Sequence, residues 1–493
     1  MPAGRAPLLA RVLVALAALV VAGLAAWRAV PVSRDQLAAP FDIQYETPNL
    51  RTIELIRAGR NPYAPEVYAQ PPFWITLYTP LYHGVVASLP ADASNPYFTG
   101  RAVGLACTLI AALAMAWAGR ASAWSALLLV GAFFLVRPVT QNAALLKNDT
   151  LGLACSMLAV LAAWRAPRST IWIAVSATLS VLAIASKQSF LAAPAAIAVY
   201  LWLRDRRSSL VFARIAGGLG LAALATARLA WGPGFTFSVF RALQNPMLWR
   251  QFSEQWSPML RQPVFLALGA LCAVGLVCAL VRERRAAFAS SPFALYVLAS
   301  CAVLLATVGK LGSNANYFLE PSLAACAWLA WSARGHFETT LRGMATCAGA
   351  LVLCAASALE VRIAQRPEYA VAGHVAKELF HDALEDLAAK IRAQPVPTPR
   401  ILNLTYAGLA YPLPGEILIS DPFLYFLLWN SNKLSSQPVT ELLRRRAVDG
   451  VLVPPGLRPG AGPMPQPELF QALFAGYRPV APYPAFEYWV RKP

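Results

Sequence analysis

Residues 8–30 read LLARVLVALAALVVAGLAAWRAV, an apolar run led in by Arg5 and Arg11. A helix needs roughly 20 mainly apolar residues to cross the hydrocarbon core of a bilayer, and this run has that length. A motif like Leu24-Ala25-Ala26 can also end a cleaved signal peptide, but so long a run suits a retained anchor better. The same pattern returns at Arg101–Ala118, Trp124–Val136, Thr150–Trp164, Thr170–Ser186, Phe190–Leu203, Ile215–Trp231, Val264–Val281, Pro292–Gly309, Tyr317–Ala333 and Leu341–Leu359. The expectation is therefore an all-α polytopic membrane protein with about eleven transmembrane helices. The segment Pro72–Leu89 is aromatic and broken by Pro80, and it reads as an interfacial or re-entrant helix rather than a further span.

Composition points the same way. Of the 493 residues, 58% are hydrophobic and 13% charged, whereas soluble domains carry about 25% charged residues. A soluble enzyme, a disordered chain and a disulfide-rich secreted module are all excluded on that ground. The 42 Lys+Arg against 24 Asp+Glu leave a net charge of +18. Those arginines gather in alternate turns: Arg5 and Arg11, Arg120, Arg165 and Arg168, Arg204 to Arg207, Arg282 to Arg285, Arg334 and Arg342. By the positive-inside rule these turns are cytoplasmic, which puts the N-terminus inside and the C-terminal region outside an inner (cytoplasmic) membrane. No basic stripe interleaved with aromatics appears, so no nucleic-acid partner is expected. The 8 cysteines all lie in apolar stretches and none forms a Cys-x-x-Cys pair, so neither a disulfide framework nor a zinc site is indicated.

The chain divides at about residue 360. Residues 1–359 form a transmembrane part with outer loops at 31–100 and 232–263. Residues 360–493 turn proline-rich and polar, with short apolar runs at Arg400–Tyr406, Glu416–Ser420 and Gly450–Pro454 among helix-like stretches at Tyr369–Gln394 and Pro438–Ala447. Such alternation predicts a small extracytoplasmic α/β domain.

The first outer loop is rich in acids and aromatics. It holds Phe41-Asp42-Ile43-Gln44-Tyr45-Glu46-Thr47-Pro48-Asn49-Leu50, then Gly59-Arg60-Asn61-Pro62-Tyr63, then Tyr78-Thr79-Pro80-Leu81-Tyr82. Leu145-Leu146-Lys147-Asn148-Asp149-Thr150 opens one span, Ser186-Lys187-Gln188-Ser189-Phe190 closes another, and Asn316-Tyr317-Phe318-Leu319-Glu320-Pro321 opens a late one. This succession, over Leu8 to about Leu359, resembles the GT-C superfamily of integral-membrane glycosyltransferases, in particular bacterial relatives of protein O-mannosyltransferases and of the aminoarabinose transferase. The resemblance implies a polyprenyl-phosphate-linked sugar donor, a glycan, lipid or protein acceptor, and a site at the outer face. Many relatives carry adjacent Asp-Glu in the first loop, whereas here Tyr45 precedes Glu46. A possible divalent metal, held elsewhere by that pair, is therefore not assigned to any residue.

Physical chemistry selects the same places. Transfer from a lipid phosphate needs a carboxylate to take the proton of an acceptor hydroxyl and a cation to meet the charge growing on the departing phosphate. Glu46, which the resemblance favours by position, and Asp42 are the candidate bases. An ionisable residue at the outer end of a span, such as Lys187, needs a partner or a task, and it is expected to bind the donor phosphate together with Arg250. Tyr63, Tyr78, Tyr82, Asp149, Lys147, Gln188, Tyr317 and Glu320 are expected to line the substrate pocket, with Lys147 and Asp149 able to pair locally and Lys310 a plausible partner of Glu320. The aromatics around Arg250 (Trp249, Phe252 and Trp256) suit an interfacial belt equally well. His374, Glu378, His381 and Asp382 fall on one helix face, yet lack a further strong ligand for metal. A transporter or lipid flippase, or a glycan polymerase or ligase of another membrane fold, would share the apolar spans. The first should also show internal repeats, and none is visible.

Overall fold

The computed structural model describes residues 5–119, 123–165, 169–283, 285–333, 340–364, 382–405, 408, 413–458 and 466–493. Arg120, Arg168, Arg284 and Arg334 of the basic turns, and His374, Glu378 and His381 of the possible metal face, lie outside them.

Five described helices are long and apolar enough to cross a membrane, over Leu8–Ala38, Phe98–Ala118, Arg206–Arg241, Pro263–Arg282 and Ala345–Ala364. Shorter apolar helices stand beside them at Ala123–Leu135, Thr170–Ser186, Ala192–Arg204 and Pro292–Thr307. The protein is thus a multi-pass membrane protein. Helix α1 (Arg5–Ala38) packs on α6 (Ala123–Leu135) and α17 (Thr340–Ala364), and α8 (Asp149–Arg165) packs on α5 (Phe98–Gly119) and α9 (Thr170–Ser186). Outward-facing apolar side chains such as Leu229 and Ile171 stay largely uncovered, as a lipid-facing surface requires. The charged groups Arg101, Glu46, Asp149 and Lys187 are instead buried within the protein. Helix ends follow local chemistry: Asp205 caps α11 (Arg206–Thr236) by accepting from the N–H groups of Arg207 and Ser208, and Ser291 caps α15 (Pro292–Thr307).

The C-terminal region is an α/β unit around a five-stranded sheet of order β2-β1-β3-β5-β4. Strands β1 (Arg400–Asn403), β2 (Glu416–Leu418) and β3 (Gly450–Val453) are parallel, as their apolar, doubly covered runs suggest. Strands β4 (Tyr477–Pro482) and β5 (Glu487–Arg491) add an antiparallel hairpin that the sequence reading did not anticipate.

One expectation needs correcting. Pro72–Leu89 is not a single interfacial helix: residues 72–80 are non-helical, and only Leu81–Ala87 (α4) forms a helix. Prolines at 71, 72 and 80 remove donors and disfavour helical backbone before them. The freed backbone pairs instead with the C-terminal domain. Ile419 N–H donates to Pro72 O at 2.9 Å, and Trp74 Nε1 donates to Ile417 O at 3.4 Å. Tyr68, Phe73 and Ile75 of the loop share one apolar core with Leu418, Leu424, Tyr425 and Trp429 of the domain. The first outer loop and the C-terminal domain are therefore welded into one body above the helices.

Candidate active site

The two acids of the first loop have opposite surroundings. Glu46 has zero exposure, and its carboxylate receives four donors: Arg101 Nε at 2.9 Å, Arg101 Nη2 at 2.5 Å, Leu146 N at 2.7 Å and Ile43 N at 3.1 Å. The Arg101 guanidinium also donates to the carbonyls of Gln36, Ala39 and Phe41 and lies over the Tyr97 ring. This buried fork ties the loop to α5 and to the turn before α8. Asp42 is different. Its Oδ2 accepts from the N–H groups of Glu46 (2.9 Å) and Thr47 (2.7 Å), at the start of α2 (Thr47–Arg57). Its Oδ1 is buried without a hydrogen-bond partner among the described residues. Burial, and then the neighbouring charge of Glu46, raise the Asp42 carboxyl above the ordinary aspartate range. Tyr45, between the two acids, takes a left-handed conformation (φ 57°) and is partly exposed.

A second cluster forms where three helix ends meet. Lys187 caps the C-terminus of α9, Asp149 opens α8, and Asn316 sits in the short 3₁₀ turn Ala315–Phe318 before α16 (Leu319–Ser332). Lys187 Nζ lies 2.7 Å from Asp149 Oδ1, and Asn316 Nδ2 donates to both Asp149 oxygens at 3.1 Å. The ammonium stands 5.3 Å from the Tyr78 ring centre and 5.2 Å from that of Tyr317, within cation–π range. Asp149 thus pairs with Lys187 rather than with its near neighbour Lys147. Lys147 Nζ instead reaches Gln44 Oε1 at 3.0 Å and Asn142 Oδ1 at 3.4 Å, which joins this cluster to the first loop. Gln188 donates to Val239 O at 3.0 Å, and its buried Oε1 has no partner among the described residues.

Other residues picked from the sequence lie apart from these two clusters. Tyr63 is fully buried against Trp231 and Phe235, with its hydroxyl on Tyr78 O at 2.7 Å. Tyr82 is likewise buried, with its hydroxyl on Gly100 O at 2.9 Å. Both hydroxyls are thus spent on backbone carbonyls. Glu320 accepts from the Tyr296 hydroxyl at 3.1 Å, in place of the ion pair with Lys310. Arg250 on α12 (Trp249–Met259) is 88% exposed and, among the described residues, pairs along its helix with Glu254. Its neighbours Phe252 and Trp256 pack towards Phe318 while Trp249 remains exposed, in keeping with an interfacial belt. Among the described residues, no three His, Cys, Asp or Glu side chains converge.

Residues outside the sequence-based set complete the site. Arg101 and Asn316 hold the two acids Glu46 and Asp149. Asp421, at the N-terminus of α19 (Pro422–Asn430), is buried, and burial followed by the charge of Asp42 pushes its carboxyl up to about 6. Arg101 had a legible signal: an arginine near the end of an apolar span calls for a partner. Asp421 did not, because Ser420-Asp421-Pro422 reads as an ordinary helix cap.

This architecture sets a loop-bound α/β domain on a helical membrane part, over a set of buried charges. Among solved structures it is similar to ArnT from Cupriavidus metallidurans bound to undecaprenyl phosphate, at 13% identity and a TM-score of 0.59 over 97% of each chain. The apo state of that protein gives 14% identity and 0.58, over 94% of this chain and 97% of that one. The Archaeoglobus fulgidus oligosaccharyltransferase in the apo form gives 12% identity and 0.51, over 89% of this chain and 69% of that one. No protein-family model and no curated protein sequence matches the chain.

Proposed function

We propose that the protein is a membrane glycosyltransferase that moves a sugar from a polyprenyl-phosphate donor to an acceptor hydroxyl at the outer face of the cytoplasmic membrane, with its N-terminus inside and residues 360–493 outside. The observation that carries this reading is the Lys187 cage. A lysine ammonium has three N–H donors, and the only hydrogen bond described for this one is to Asp149. The others are free to meet phosphate oxygens between the Tyr78 and Tyr317 rings. The undecaprenyl phosphate of the similar ArnT structure supports a ligand of that chemistry.

In this reading Asp42 is the base. Its unpartnered Oδ1 accepts the proton of the acceptor hydroxyl while the hydroxyl oxygen attacks the anomeric carbon. The bond from that carbon to the phosphate oxygen breaks, and the polyprenyl phosphate leaves with the electron pair, its new charge met by Lys187. The proton passes from Asp42 to water. One carboxylate and one direct displacement give an inverted anomeric centre. Glu46, saturated by Arg101 and two backbone donors, positions the loop instead. Lys147, Asn316 and Gln188 keep the two clusters in register.

The test is a mass-spectrometric profile of glycolipids and envelope glycans in the native host, a deletion strain, and the deletion rescued with wild type or Asp42→Asn. Loss of a glycan modification with accumulation of a polyprenyl-phosphate sugar, restored by wild type and not by Asp42→Asn, supports the transferase and names the donor. An unchanged profile on deletion, with redundancy excluded, refutes it.

A further inference from the structure

Asp421 stands at the turn where the C-terminal domain meets the first outer loop. Ser420 before it is fastened to that loop: its N–H donates to Phe73 O at 3.3 Å, and its hydroxyl oxygen accepts from Ile75 N–H at 3.4 Å. Asp421 Oδ1 accepts from Leu424 N–H at 3.0 Å and so caps α19. Capping uses one oxygen, and among the described residues no cation forms an ion pair with this buried carboxylate. A buried acid left without a cation is costly. The segment it is fastened to leads straight to the site: Ile75, bonded to Ser420, lies three residues before Tyr78, whose ring faces Lys187 Nζ at 5.3 Å, and the charge of Asp421 is felt at Asp42, Tyr45 and Tyr78.

Two uncompensated carboxylates beside a partly exposed tyrosine favour a ligand rich in hydrogen-bond donors and repel an anionic one. We propose that Asp421 is an acceptor-binding residue, accepting hydroxyls of an uncharged saccharide and turning one of them towards Asp42 Oδ1. This rests on the glycosyltransferase reading. It makes the site a joint product of both halves of the chain, with the donor held by the membrane part and the acceptor gripped from the C-terminal domain.

Asp421→Asn tests it, because asparagine caps a helix as well as aspartate does while losing the charge. Asp421→Ser, a second capping residue, guards against a failure peculiar to Asn. Each variant is purified in lipid nanodiscs for thermal-shift measurements with undecaprenyl phosphate, and each is also used to rescue the deletion strain for glycan profiling. The expected result is wild-type folding and a wild-type shift with undecaprenyl phosphate, but at least a tenfold fall in modified glycan with donor accumulating. Wild-type glycan levels with either folded variant overturn the inference, as does loss of the undecaprenyl phosphate shift, which would assign Asp421 to the donor side. A deletion with unchanged glycans fails at the earlier step and removes the transferase reading itself.

Discussion

Replacing Glu46 and Asp42 one at a time by their amides separates a structural acid from a chemical one. In Glu46→Gln the Arg101 guanidinium keeps its three carbonyl acceptors but loses its counter-charge in a setting where both side chains have zero exposure. Breaking a buried ion pair from one side costs about 3–5 kcal/mol. With an unfolding entropy of about 1 kcal/mol/K for a chain of this length, the melting temperature falls by about 3–5 °C. Asp42→Asn keeps an acceptor for the Glu46 and Thr47 N–H groups and removes a carboxylate that has no cation, so its stability stays within about 1 kcal/mol of wild type. Its transfer activity falls by about 100-fold or more, the usual worth of a general base. Thermal unfolding in detergent and transfer from labelled donor, measured on the same preparations, check both numbers. A Glu46→Gln protein with wild-type melting and no transfer, beside an active Asp42→Asn, would exchange the two roles and refute the reasoning.

Other outcomes follow from the same geometry. Lys187→Met should weaken the undecaprenyl phosphate thermal shift by at least tenfold in ligand concentration, since a neutral side chain supplies no donor to phosphate; an unchanged shift moves the phosphate elsewhere. Arg250→Ala should leave transfer within about twofold, because an exposed pair with Glu254 contributes little. Gly234→Ala drives a methyl into Tyr63 O, and forcing that backbone apart should cost about 1–3 kcal/mol, visible as a lower melting temperature. Transfer should lose activity on acidification at a pH above the ordinary aspartate range, because Asp42 must be ionised and its carboxyl is raised. The stability sign at Asp421 is opposite to that of a salt-bridged acid: its folded value of about 6 exceeds the unfolded 3.8, so its contribution is complete below 3.8 and is lost as pH rises through about 6. Asp421→Asn should flatten that part of the stability profile.

Much of the fold was readable because the bilayer enforces long apolar runs, and the C-terminal domain because β1, β2 and β3 each carry a short apolar run between polar stretches. The hairpin β4–β5 escaped since Arg478, Pro479 and Pro482 disguise one strand. Pro72–Leu89 was misread for a related reason: its apolar side chains are buried by a sheet some 340 positions away, and hydropathy does not say what covers a residue. At the site, residue types were legible and partnerships were not. Asp149 lies two positions from Lys147, yet it pairs with Lys187, 38 positions on, because α8 and α9 pack side by side with those ends together. Between Glu46 and Asp42 the family resemblance favours Glu46, and only the placement of Arg101 separates a sated carboxylate from one with a bare oxygen.

The seam between the first loop and the β2 edge also sets a timetable for making the protein. Trp74 and Ile417 are 343 residues apart, and at the ~5–20 residues per second of synthesis the loop emerges roughly 20–70 s before the strand that covers it. For that interval Phe73 and Ile75 stand outside the membrane with their apolar sides bare and their backbone unmatched. Whatever shields them in that window, lipid surface or a holding partner, governs how much of the newly made chain reaches its finished form.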